Sequence, residues 1–228
     1  MEYAIQMTQP WTSLFIDTAK DHNQKVRINE IFDHVYFINL DSRTDRLDHI
    51  QDQLHQLDIS ATRVTGVKTE EIDNLSTISL GQLGCLLSHR FILEDARNHS
   101  YNSVLILEDD IVFKSPEISD LETYMSNLPK DWDMLYLCGN NYSGLSKVTE
   151  NIFRTFGTLS TAAYAVNSKI YDQLLSILSV ESPKKPIDSY YLDQHPHIKA
   201  YVCVPSLAFQ RPDFSDIEHR FVDYSFLK

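Results

Sequence analysis

Three carboxylates in a row, Glu108, Asp109 and Asp110, follow directly on the apolar run Val104-Leu105-Ile106-Leu107. The run reads as a strand buried on both faces. Acids at the end of such a strand are costly unless a cation or a donor pairs with them. Side chains alternate along an extended backbone, so Glu108 and Asp110 are expected on one side and Asp109 on the other. Two carboxylates on one side of a strand end suit a hard cation, Mg²⁺ or Mn²⁺, with water and ligand phosphates completing the shell. Capping of the following turn, or local salt bridges, would account for the same acids.

Three further groups of residues could carry chemistry. Arg43 and Arg46 fall in the first turn of an expected helix, where the helix dipole favours anions. A bound phosphate would resolve that conflict, and so would Asp41, Asp45 and Asp48 nearby. Gly81, Gly84, Cys85 and Ser88 form a stripe of small residues on one helical face, with His89 at its edge. Such a stripe admits a flat ring, or the tight packing of another backbone. The stretch "PIDSYYLDQHPH" (186–197) gathers Asp188, Asp193, His195 and His197. His-x-His beside an acid is a zinc pattern, but Pro196 separates the pair and no third ligand is evident. An acid beside Tyr190 and Tyr191 suits a sugar: rings pack on its face and the carboxylate binds or deprotonates a hydroxyl.

The elements that must position these groups alternate. "HVYFINL" (34–40) reads as a strand. Leu47, Ile50, Leu54 and Leu57 mark an amphipathic helix with Ser42-x-x-Asp45 as its capping box. "SATRVTGV" (60–67) is a second strand, and 79–98 a helix capped by Ser79-x-x-Gln82. The span 103–113 is one strand, "LETYMSNL" a helix and "DMLYLC" (133–138) a strand. "IFRTFG" and "TAAYAV" read as a strand pair. "SKIYDQLLSIL" is a helix and "KAYVCVPS" (199–206) a late strand before an irregular tail. This is an α/β pattern with a mixed, mostly parallel sheet flanked by helices. Residues 1–30 read as an N-terminal arm and 31–228 as one domain.

The 228 residues carry a net charge of −12, against a nucleic-acid footprint. No run is long and apolar enough to span a membrane, and no signal peptide is apparent. Three scattered cysteines suggest reduced thiols and a cytoplasmic setting; peripheral contact with a membrane surface is compatible with this. There is no GxGxxG and no Walker A lysine, so a nucleotide's phosphates would need another counter-charge, which a metal supplies.

Taken in order, "FINLDSRTDR" (37–46), "SLGQLGCLLSH" (79–89), "VLILEDDIVF" (104–113), "GTLSTAAYAV" (157–166), "PIDSYY" (186–191) and "PSLAFQRPDFSDIE" (205–218) resemble glycosyltransferase family 25. The family includes lipooligosaccharide and lipopolysaccharide glycosyltransferases and collagen galactosyltransferase domains. The resemblance covers about 33–218, with Gln82 where many members have Glu. It implies a GT-A-type fold and inverting, Mn²⁺- or Mg²⁺-dependent transfer of galactose or glucose from a UDP-sugar to a saccharide or glycolipid acceptor. It makes Glu108-Asp109-Asp110 the DXD-like motif, with Asp110 the direct metal ligand and Glu108 or Asp109 assisting. Asn39, Leu40, Arg43 and Arg46 would flank the uridine and pyrophosphate. Gly84, Cys85, Ser88 and His89 would line the donor pocket. Asp188 is the expected base, with Asp193 and Asp216 as alternatives; Tyr190, Tyr191 and Asp216 would meet the acceptor.

Overall fold

Val35 and Phe37 of the first strand, with Leu105 and Leu107 of the buried run, pack into one apolar cluster. Tyr36, Val104 and Ile106 pack into another. Two cores on opposite faces of one sheet require helices on both, and a computed structural model shows this arrangement. It describes residues 28–69, 77–115, 117–142, 144–178 and 183–223. In chain order the elements are α1 (Ile28–Ile31), β1 (His34–Asn39), α2 (Thr44–Gln56), β2 (Thr62–Thr65), α3 (Leu80–Asn98), β3 (Ser103–Glu108), β4 (Ile111–Phe113), α4 (Leu121–Asn127), β5 (Met134–Tyr136), β6 (Asn140–Asn141), β7 (Ser146–Lys147), β8 (Ile152–Arg154), β9 (Thr158–Leu159), β10 (Ala163–Asn167), α5 (Tyr171–Ile177), α6 (Ile187–Gln194), β11 (Ala200–Cys203), β12 (Ala208–Gln210), β13 (Asp213–Ser215) and β14 (Arg220–Val222). Helices α1, α2 and α4 cover one face, and α3, α5 and α6 the other.

Eight strands form the main sheet in the order β2-β1-β3-β10-β5-β11-β8-β7. β1 pairs in parallel with β2 and β3, and β5 with β11. β10 and β8 run against their neighbours, so the sheet is mixed with most strands in one direction, as the alternating pattern implies. The carboxyl ends of β1, β2 and β3 therefore lie side by side, the usual place for a ligand crevice in such a sheet. Reversed β10 begins where β3 ends: Ala163 faces Leu107, and the Glu108 N–H donates to the Ala162 carbonyl at 2.8 Å.

Helix α3 starts as its sequence dictates. Ser79 accepts from the Gln82 N–H, and Gln82 Oε1 accepts from the Ser79 N–H, closing the capping box. Four expectations fail. The Ser42–Asp45 box does not form: Arg43 is the N-cap of α2, without a side-chain cap, because Asp45 binds the Arg43 guanidinium instead. The strand expected over 103–113 breaks at a turn over Asp109 and Asp110. The strands within "IFRTFG" and "TAAYAV" do not pair with each other; β8 joins β11 and β7, while β10 joins β3 and β5. The tail read as irregular supplies β12, which pairs with β4, and the hairpin β13–β14. Residues 1–27, most of the expected arm, lie outside the described residues. Ile28, with no exposed surface, already belongs to the core.

Candidate active site

A cleft of about 790 Å³ opens at the carboxyl ends of β1, β2 and β3. Its wall includes Asn39, Leu40, Arg46, Gly84, Cys85, Ser88, His89, Glu108, Asp109, Asp110, Asp188 and Asp216. Most of the residues singled out in the sequence thus meet in one place. Arg43, Tyr190 and Tyr191 do not line it.

The turn at Asp109 and Asp110 overturns the alternation argument. Asp109 and Asp110 share a partner, and Glu108 stays close enough for its charge to raise the Asp110 carboxyl. Arg46 Nη1 donates to Asp109 Oδ1 at 3.0 Å and to Asp110 Oδ2 at 3.1 Å. Asp109 also accepts from Asn39 Nδ2 at 2.7 Å. Glu108 accepts from the Thr161 hydroxyl at 2.6 Å and lies 3.4 Å from His89 Nε2.

The two arginines are already committed. Arg46 Nε reaches Asp213 and its Nη2 donates to the Phe214 carbonyl. Arg43 binds Asp45, Asp213 and the Phe214 carbonyl, and meets Asp216 at 2.5 Å. The conflict between these cations and the helix dipole is settled by carboxylates of β13 and the turn after it, together with Asp45. No bound anion is required.

The carboxylates differ in electrostatics as well. Burial, then the charges of Glu108 and Asp109, push the Asp110 carboxyl up to about 7 against the pull of Arg46. Burial likewise raises Asp109. Burial works against ionised Glu108 too, but the contacts from His89 and Thr161 outweigh it and hold Glu108 below the usual carboxylate range. One Asp110 oxygen has only a long contact, 3.4 Å, from Gln210. Of the acids lining the cleft, Asp216 is paired with Arg43 and Glu218 with Arg220; among the described residues of the wall, Glu108, Asp109, Asp110 and Asp188 have Arg46 and Lys68 as permanent cations. That excess would suit a divalent cation, which Asp110 would hold through its less committed oxygen.

Asp188 stands on the first turn of α6, facing the cleft. Burial, then the charge of Glu108, raise its carboxyl above the ordinary range, while backbone N–H groups of Ser189 and Ser160 oppose the shift. Ser160 adopts φ 101°, a strained conformation for a residue with a side chain, and lies in the cleft wall. Asp193 is exposed and paired with Lys185. Asp216 lines the cleft but is tied to Arg43. Tyr191 is fully buried, its hydroxyl 3.2 Å from that of Tyr164, so it cannot meet an acceptor. Tyr190 accepts from the Lys184 N–H and carries Lys185 over its ring. His195 is a core residue held by Tyr136 at 3.0 Å.

The small-residue stripe serves packing first. A Cβ at Gly84 would lie 2.2 Å from the Val67 carbonyl oxygen, and one at Gly81 2.8 Å from the Ile217 Cα. Ser88 accepts from the Val67 N–H and donates to the Gly84 carbonyl, pinning the segment after β2 to α3. The stripe thereby brings Cys85 and His89 to the cleft. Thr161, Ser160, Lys68 and Gln210 were missed among the candidate residues. The first two fall inside the quoted "GTLSTAAYAV" and Gln210 inside "PSLAFQRPDFSDIE"; Lys68 has no local signature.

The family model "Glycosyltransferase family 25 (LPS biosynthesis protein)" matches residues 32–195, well over half of the sequence. The chain belongs to glycosyltransferase family 25. It is similar to a Bos taurus protein named probable inactive glycosyltransferase 25 family member 3, at 26% identity over 202 residues, covering 73% of this chain and 33% of that one. It is also similar to procollagen galactosyltransferase 1 of Danio rerio, at 27% over 128 residues, covering 46% of this chain and 21% of that one. The chain thus spans a third or less of the length of these relatives. A solved glycosyltransferase involved in glycosylation of the major capsid of PBCV-1 shares 11% identity over 74% of this chain and 79% of its own, with a TM-score of 0.47. Among the described residues no helix is long and apolar enough to cross a membrane.

Proposed function

We propose that this domain is an inverting, Mn²⁺- or Mg²⁺-dependent glycosyltransferase. It moves a hexose, galactose foremost, from a UDP-sugar to a saccharide acceptor such as lipooligosaccharide or lipopolysaccharide. The observation that carries the reading is the acid-rich cleft at the carboxyl ends of β1, β2 and β3, with Asp110 pushed up to about 7 inside it. The family description supports a lipopolysaccharide-type acceptor, and the name of the Danio rerio relative supports galactose as the sugar moved.

A divalent cation on Asp110 would offset the charge that develops on the departing diphosphate. Arg46 holds Asp109 and Asp110 in place, and Asn39 fixes Asp109 from the other side. Leu40 and the Gly66–Val67 segment give the nucleoside an apolar wall beside them. Lys68 in the cleft wall would serve as a second counter-charge for phosphate. Asp188 takes the proton of the acceptor hydroxyl as its oxygen bonds to the anomeric carbon and the bond to the diphosphate breaks. Its raised carboxyl makes it a stronger base than an exposed aspartate.

A panel of nucleotide sugars assayed for UDP release tests this reading. UDP-galactose should lead, chelator should stop release, and Asp110→Asn should lower turnover at least about a hundredfold with the fold intact. Asp188→Asn with near wild-type turnover would remove the base assignment. The inactive designation of the Bos taurus relative supports one rival, a donor-binding homologue without turnover. Metal-dependent donor binding with no UDP release in the presence of any acceptor would favour that rival.

A further inference from the structure

We propose that Cys85, His89 and Glu108 form a separate metal site for a zinc-class cation in the wall of the cleft. One ligand atom from each lies within 4.8 Å of the others. Cys85 and His89 are four residues apart on α3, so they project from the same helical face. Glu108 meets them from the end of β3.

The surroundings are those of a prepared ligand set. His89 has no exposed surface, and its Nδ1 is tied to the Tyr164 hydroxyl at 2.9 Å, which fixes the ring. Its Nε2 points into the cluster, 3.4 Å from Glu108 Oε1, yet makes no hydrogen bond. A metal-binding imidazole is usually oriented in this way by a bond to its second nitrogen. The Thr161 hydroxyl orients Glu108 in the same sense. Thiolate, carboxylate and neutral imidazole carry two negative charges, which a divalent cation cancels, and a coordinated thiol loses its proton. Burial otherwise keeps the Cys85 thiol well above its ordinary value. Sulfur, nitrogen and oxygen together select Zn²⁺ or Co²⁺ over the harder Mg²⁺ and Mn²⁺. All three residues line the cleft, so a fourth position stays open to water or ligand.

Cobalt titration of the metal-free protein tests the site without donor, acceptor or turnover, so its outcome is independent of the transferase reading. The expected result is a thiolate-to-cobalt absorption band at one equivalent, displaced by Zn²⁺ but not by excess Mn²⁺. The band should persist in Asp110→Asn and Cys138→Ser, vanish in Cys85→Ser, and need at least about tenfold more cobalt in Glu108→Gln. Circular dichroism of each variant identifies any that fail to fold. A wild-type protein without the band overturns the proposal, leaving His89 and Glu108 a plain polar contact. A band that survives in folded Cys85→Ser overturns it as well.

Discussion

Two histidines in this domain begin from the same circumstances and end in different ones. His89 and His195 are both without exposed surface. Each is held through one ring nitrogen by a core tyrosine, Tyr164 for His89 and Tyr136 for His195. Those tyrosines are cross-strand neighbours on β10 and β5, their rings 6.2 Å apart. Each histidine has a second nitrogen without a hydrogen bond. His89 directs that nitrogen toward Glu108 and Cys85 at a cleft wall. His195 has the Arg154 charge nearby, which together with burial pushes its ring down to about 4. Two histidines with the same burial and the same kind of tyrosine partner thus differ in the charge nearby: a carboxylate beside His89, a guanidinium near His195.

The comparison can be broken from its cleft side first. Arg46 is the cation that makes the neighbouring acids tolerable, and its side chain is only 10% exposed. Arg46→Met should cost about 3–5 kcal/mol, because Asp109 and Asp110 are left unpaired and buried. Urea midpoints measure this; a loss under about 1 kcal/mol would mean that these charges are well solvated.

On the core side the prediction concerns pH. Between about 4 and the ordinary value of 6.5, unfolded His195 binds a proton that the native ring refuses. Stability therefore falls as pH drops through that window, by up to about 3 kcal/mol. His195→Gln should flatten that part of the stability profile, and an unchanged slope would place the titration elsewhere.

The tyrosines give the finest distinction. Tyr164→Phe loses bonds to both His89 and Tyr191 and should cost about 2–3 kcal/mol. Tyr136→Phe loses the bond to His195 and should cost about 1–2 kcal/mol. The reverse order in thermal or urea melts would mean that the cleft-side network is the looser of the two.

What could be read from the sequence follows the range of the interactions. Helix α3 was legible because Ser79 and Gln82 satisfy its first turn locally, and because its apolar spacing persists to Ala96. The buried run before Glu108 was legible for the same reason. The orientation of its three acids was not: alternation holds only while the chain stays extended, and it turns at Asp109. Local acids were one reading for Arg43 and Arg46, and Asp45 does bind Arg43; their other partners Asp213 and Asp216 were out of reach of the sequence, some 170 residues away. Tyr191 could have been placed correctly. Ile187, Tyr191 and His195 recur every fourth residue, and all three are buried, which marks the inward face of a helix more firmly than two adjacent tyrosines mark a sugar platform.

The strand β12 and the hairpin β13–β14 set an order of events in time. β12 pairs with β4, the Arg211 N–H donates to the Asp110 carbonyl, and Asp213 and the Phe214 carbonyl hold Arg46. These residues lie beyond the segment matched by the family model. During synthesis the parallel strands β1, β2 and β3 can leave the ribosome and associate long before Asp213 is made. Over that interval the acids of the turn and the arginines of α2 exist without their full set of partners. The cleft is thus completed late, by contacts of very high sequence separation, which are the slow ones to form.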